Sequence, residues 1–170
     1  MTRSGPTSRV SLPGRIGLFT RLGREISNEQ VLDIDPVAAE RLRSNLHRKY
    51  SLVARERRPP SGVYNCHGLT FANRRTSIFD AAQVPMILQD DGYHEIRLPA
   101  VEPGDIVVYY DLDHVSHTGM VTEVVDGDPP GSNLRAVRIL SKWASAGEYV
   151  HRAQDGPYAE ERVTYWTDRP

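Results

Sequence analysis

The feature that most limits the possible folds lies in the second half of the chain, where short apolar runs alternate with turn sequences. Residues 106–110 read Ile-Val-Val-Tyr-Tyr, entered through the turn Pro103-Gly104-Asp105. Residues 115–125 form a second run, reached through Asp111-Leu112-Asp113-His114. The loop Asp-Gly-Asp-Pro-Pro-Gly-Ser-Asn at 126–133 then turns the chain into a third run at 136–143. β-Branched and aromatic residues bounded by Gly, Pro, Asp and Asn predict strands, and such short loops join neighbours antiparallel. Residues 94–98 and 163–166 predict two further short strands.

The first half has a different period. Asp35-Pro36 suits a helix start, with a side chain able to cap free amides and a proline that needs no donor. Val37, Ala38, Arg41, Leu42, Asn45 and Leu46 then give a partly apolar stripe up to about Tyr50. Residues 55–62, RERRPPSG, read as a charged connector. A short buried helix is predicted to start around Cys66, carrying Leu69, Phe71 and Ala72, and another over 80–88 with Asp80 as its cap. Residues 1–29, rich in Gly, Ser, Pro and Arg, read as a loosely packed arm ahead of one domain spanning 30–170. Helices followed by an antiparallel meander define an α+β domain.

Composition narrows the function classes. The 170 residues carry 21 Lys and Arg against 22 Asp and Glu, so nothing in the net charge of −1 points to nucleic acid or an anionic membrane. The distribution is uneven: residues 1–60 hold 12 basic and 6 acidic side chains, a candidate face for a protein partner. One cysteine forbids an internal disulfide and any multi-cysteine zinc site. The N-terminus lacks the apolar stretch of a secretory signal, which predicts synthesis in the cytoplasm, with signal-less export as an effector the alternative.

That single cysteine is also the strongest chemical candidate. A thiol acts as a nucleophile in its thiolate form, which a helix N-terminus and a neighbouring base favour. Cys66 sits where Gly-Val-Tyr-Asn gives way to an apolar helix, so free amides and the positive dipole end face it. Those amides, with the Asn65 side chain or the Tyr64 hydroxyl, can hold an oxyanion. The base is expected to be His117, which alternation places on one strand face with Val115, Gly119 and Val121. His114, at the turn, ranks second. A third group would orient the imidazole from the next strand. Val137, Ile139 and Ser141 share a face there, making Ser141 the first choice and His151 the alternative.

The order of these pieces resembles the papain-like superfamily of NlpC-type cell-wall peptidases and CHAP amidases. The nucleophile motif reads Asn65-Cys66-His67-Gly68-Leu69, the Gly-Asp turn and strand read 104–110, and the histidine motif reads His117-Thr118-Gly119-Met120-Val121. The resemblance covers roughly residues 60–145. It implies a papain-like fold, Cys66 as nucleophile, His117 as general base, and a third residue at Ser141 or its neighbour Lys142. It implies no cofactor. The substrate it implies is an amide: a peptide, a peptidoglycan stem peptide or a bond on a partner protein.

Two other readings are weighed. Cys66, His67, His114 and His117 include ligands suited to zinc. Alternatively the fold serves as a non-catalytic binding module. Tyr109, Tyr110, Trp143, Tyr165 and Trp166 are expected to pack the sheet, Asp105 to close a turn, and Arg74-Arg75 to form a solvated helix end.

Overall fold

A computed structural model describes residues 14–128 and 130–170. Asp35 accepts hydrogen bonds from the amides of Val37 and Ala38 and starts α1, Pro36–Tyr50. Strand β1, Ala54–Arg58, follows, then α2, Cys66–Phe71, and α3, Gln83–Asp90. The remainder is strand after strand: β2 His94–Ile96, β3 Ile106–Asp111, β4 His114–Asp126, β5 Arg135–Lys142, β6 Glu148–Arg152 and β7 Arg162–Thr167. They form one antiparallel seven-stranded sheet in the order β1-β6-β5-β4-β3-β7-β2. The domain is α+β, and the meander expected from the turn sequences is its centre. Among the described residues no helix is long and apolar enough to cross a membrane.

Alternation along β3 divides the core. Ile106 and Val108 pack with Val84 and Leu88 of α3 on one face, while Val107 and Tyr109 pack with Val121, Val137, Ile139 and Tyr165 on the other. Helix α2 lies on the α3 side, where Leu69 and Tyr64 cover Leu140 of β5. The opposite side is covered by α1, whose Leu42, Leu46 and Tyr50 reach Trp143, and by the turn-rich segment 153–161, whose Tyr158 packs on the same core. Each fully buried Val, Leu or Ile adds roughly 1.5–3 kcal/mol relative to exposure, so both covers are needed to hold the sheet.

Several boundaries differ from the sequence reading. Residues 55–62 are not all connector: 54–58 form edge strand β1, because the alternating charges of Arg-Glu-Arg-Arg suit a sheet edge with one side in water. Strand β6 was not expected, since Gly147 and Glu148 mask its start. Asp80 caps a turn through Ala82, and α3 begins three residues later. The described part of the N-terminal arm is packed: Leu18 and Ile26 are buried against Ala72, Ile78 and Ile87, and Arg24 pairs with Asp90. Residues 1–13 lie outside the described part.

The most consequential difference is in β4. Tyr109 faces His117, but the next residue, Tyr110, faces Val115, so Ser116 is an extra residue in a β-bulge. Its hydroxyl bonds Glu161. The bulge breaks the expected alternation. Val115 joins the α3 face, whereas His117 joins Tyr109 on the opposite one.

Helix α2 packs so closely on residues 76–78 that a Cβ on Gly68 would lie 1.8 Å from the Thr76 carbonyl oxygen. Gly68→Ala is therefore expected to destabilise the fold by about 3 kcal/mol or more in urea unfolding, at the upper end for overpacking.

Candidate active site

Cys66 is the first residue of α2, and Asn65 is its cap. The Asn65 carboxamide oxygen accepts from the amides of Gly68 (2.9 Å) and Ile78 (3.0 Å), and its nitrogen donates to the Ile78 carbonyl at 2.6 Å. Three bonds from one side chain thus fix the helix start. They also occupy the group expected to hold an oxyanion. The Tyr64 hydroxyl is likewise engaged, donating to Glu148 at 2.6 Å. What remains for an anion at this end is main-chain amide: those of Thr118, His67 and Cys66 itself favour the charged form of the thiol.

The helix meets β4 through Thr118. His67 Nδ1 shares a hydrogen bond with the Thr118 hydroxyl at 3.0 Å, and the Thr70 hydroxyl donates to it at 3.1 Å. Burial pulls the His67 imidazole down to about 4, so it is neutral at pH 7. Cys66 remains partly exposed as a residue, yet desolvation of the thiol is the largest influence on it. Against the amides and Lys142, which act the other way, it is pushed up to about 11.

His117 sits one residue before Thr118, but its side chain leaves β4 on the face away from α2. There it stacks on Tyr158 with ring centroids 3.8 Å apart and the planes 10° from parallel. It is fully buried, and among the described residues neither ring nitrogen has a hydrogen-bond partner. Burial holds it far below its ordinary value, and therefore neutral. Among the described residues no hydrogen bond joins Cys66 and His117, and the His117 ring lies on the sheet face opposite the one α2 covers.

The third-residue candidates divide between the two faces. Ser141 faces the His117 side, opposite Gly119, and bonds His151 Nε2 at 2.8 Å rather than His117. His151 Nδ1 donates to the Arg152 carbonyl, and Trp143 Nε1 donates to Ser141 Oγ at 3.0 Å. That buried network is satisfied within itself. Lys142 points to the α2 side, over the Tyr64 ring at 5.4 Å, with its ammonium bonded to the Ala144 carbonyl at 2.7 Å. His114 is exposed at the β3–β4 turn. Among the described residues no three His, Cys, Asp or Glu side chains group to hold a metal, so Cys66, His67, His114 and His117 do not converge as ligands.

Two functional neighbours escaped the sequence reading. Arg74 was expected at a solvated helix end, but it takes a left-handed conformation (φ 66°) that turns it inward onto Glu148, with Nε 2.6 Å from the carboxylate. Glu148 itself, fully buried at the start of β6, carried no signal because the strand was not seen. Burial drives its carboxyl upward, but the hydrogen bonds from Arg74 and Tyr64 outweigh that and hold it below the ordinary range.

Comparison with known proteins adds no constraint: no family model, no curated protein and no solved structure matches the chain.

A neutral buried histidine binds fewer protons folded than unfolded, so stability falls with pH below the unfolded value near 6.5. For His67 the loss runs from about pH 6.5 down to about 4 and amounts to roughly 3 kcal/mol. Urea unfolding at pH 7, 5.5 and 4.5 should show this decline, and His67→Gln should make it shallower, with the buried His117 and His151 supplying what remains.

Proposed function

We propose that the protein is a papain-like cysteine hydrolase or transferase acting on amide bonds, with Cys66 as nucleophile and His117 as its base. The observation that supports this most is a fully buried imidazole, His117, with both nitrogens unpartnered among the described residues. With it goes a thiol at the first residue of a capped helix, where the main-chain amides of Thr118, His67 and Cys66 favour its charged form. An unsatisfied buried polar group costs about 1–3 kcal/mol, a cost that packing alone would remove by placing an apolar ring there.

In this reading the Cys66 thiolate attacks the substrate carbonyl carbon, and the main-chain amides receive the oxyanion. The proton taken up by His117 passes to the leaving amine, leaving a thioester. Water, deprotonated by His117, then attacks the thioester, and the proton returns with the released sulfur; an amine in place of water gives transfer. Proton transfer needs the imidazole within about 3 Å of the sulfur, directly or through one water. The resting stack on Tyr158, on the face away from α2, does not provide this, so the mechanism requires a rearrangement at this end of β4 that brings the ring to the sulfur when substrate binds. Peptides, peptidoglycan stem peptides and amide bonds on a partner protein are the substrate classes, and the basic N-terminal third is a face for such a partner.

A non-catalytic module on the same fold is the second reading. It is favoured by the thiol being pushed up to about 11 and by the missing Cys66–His117 hydrogen bond.

Incubation with peptide amides and with muropeptides, followed by intact-mass spectrometry, distinguishes them. The enzyme reading expects an acyl adduct on Cys66, no turnover in Cys66→Ala, and at least about 100-fold slower turnover in His117→Ala. A thiol that forms no adduct and reacts with iodoacetamide no faster than free cysteine assigns the binding role instead.

A further inference from the structure

The residues that cover His117 belong to one segment, and its attachments are unequal. Residues 153–161 run from β6 to β7 as a chain of turns. One end is fixed twice: the Ala153 amide donates to the Val137 carbonyl at 2.9 Å, and the Tyr109 hydroxyl donates to the Ala153 carbonyl at 2.7 Å. The other end is fixed by Glu161, whose carboxylate accepts from the Ser116 hydroxyl. Between these ends the main-chain bonds are local turns, from the Ala159 amide to the Gly156 carbonyl at 3.4 Å and from the Glu161 amide to the Tyr158 carbonyl at 3.2 Å. What ties the middle to the sheet is Tyr158, whose ring lies flat on the His117 imidazole at 3.8 Å between centroids.

That stack holds a neutral ring. His117 is fully buried, and among the described residues neither nitrogen has a hydrogen-bond partner. An imidazolium in this place gives up water at both nitrogens and gains no anion in return, which is costly. A cation–π contact with Tyr158 offsets only part of that cost, because both N–H groups still lack an acceptor. We propose that residues 153–161 form an acid-responsive cover: when His117 takes up a proton from solvent, its ring parts from Tyr158 and the middle of the segment lifts, while the ends stay attached at Ala153 and Glu161.

The groups around the ring offer the proton no counter-ion. On β3, Tyr109 lies 5.4 Å away between centroids, and burial pushes its hydroxyl well up, so it stays neutral. Burial drives Tyr158 upward too, and Tyr165 of β7 in the same core. His151 of β6 is lowered by burial and bonded to Ser141 and to the Arg152 carbonyl. On α2, across the sheet, His67 is neutral and Cys66 is a thiol at pH 7. The three carboxylates of the segment are engaged elsewhere: Glu161 with Ser116, Glu160 towards Lys49 of α1, and Asp155 towards His151. The covered state therefore binds fewer protons than the lifted one, and lifting becomes easier as pH falls below the ordinary imidazole value of 6.5.

The test is an NMR titration of the whole chain, with labelled histidines and backbone amides, from pH 7.5 down to the onset of unfolding. His117 should charge with a midpoint below 6.5 but before the sheet unfolds, and the amide signals of Tyr158, Ala159 and Glu160 should change with that same midpoint while those of β4 and β5 hold. Tyr158→Ala removes the stack, so it should raise the His117 midpoint by about one unit, a roughly ten-fold easier lifting. His117→Phe keeps an apolar ring in place and should leave the segment's signals indifferent to pH. Should that variant not fold, Tyr158→Ala carries the test. His67→Gln and Cys66→Ala should both behave as wild type. The second lacks the nucleophile of the proposed reaction, so the cover stands or falls apart from amide turnover. A His117 that stays neutral until the whole domain unfolds, that charges while the segment's signals stay in place, or that keeps its midpoint in Tyr158→Ala overturns the proposal.

Discussion

The Asn65 carboxamide is the interaction on which the rest of the site depends. Helix α2 has six residues, too few to be stable alone, and its first turn is fixed by one side chain that grips both Gly68 and Ile78. That grip joins the helix start to Ile78, 13 residues on from Asn65, and the adjoining Thr76 and Ser77 pass against Gly68 without room for a Cβ. Cys66 is therefore held on both sides. Its sulfur owes its place to backbone geometry, not to any partner of its own.

The second organising constraint is charge in a dry place. The α2 face of the sheet holds Glu148, Lys142, Tyr64, Arg74 and Thr118 in a small volume, and the far face holds Ser141, His151, Trp143 and His117. The two sets answer different needs. Ser141, His151 and Trp143 bond to one another, as a structural network requires, although the Tyr149 hydroxyl beside them has no partner among the described residues. Around Glu148 the charges do not cancel, and at His117 the nitrogens are unpaired.

Much of this was legible in the chain. The strands at 106–111, 114–126 and 135–142 follow from β-branched runs between strong turn sequences, Asp35-Pro36 marks one helix start by capping chemistry, and the apolar run after Cys66 marks another. Three things were not. The bulge at Ser116 leaves no trace in composition, because any small polar residue fits it, yet it reverses which face Val115 shares. Strand β1 looks like a linker because an edge strand with one wet side need not be apolar. Arg74 looks solvated because its inward turn depends on a left-handed backbone that sequence does not mark for arginine. Each is a tertiary or backbone event overriding a correct local expectation. The side-chain pattern alone placed Ser141 with His117, and the strand register agrees; it could not place either one relative to the helix.

The two covers of the sheet differ in kind. On the Cys66 side lies a capped helix, with Cys66 its first residue, locked by long-range hydrogen bonds. Over His117 lies a run of turns between β6 and β7, with Tyr158 as its main apolar contact and Gly156 at φ 102° wedged against Trp143. Segments of this sort open at far lower free energy than the elements they cover, without disturbing the global fold. His117 is thus covered by nine residues of turns, 153–161, so loosening of that loop would uncover the imidazole without unfolding the domain.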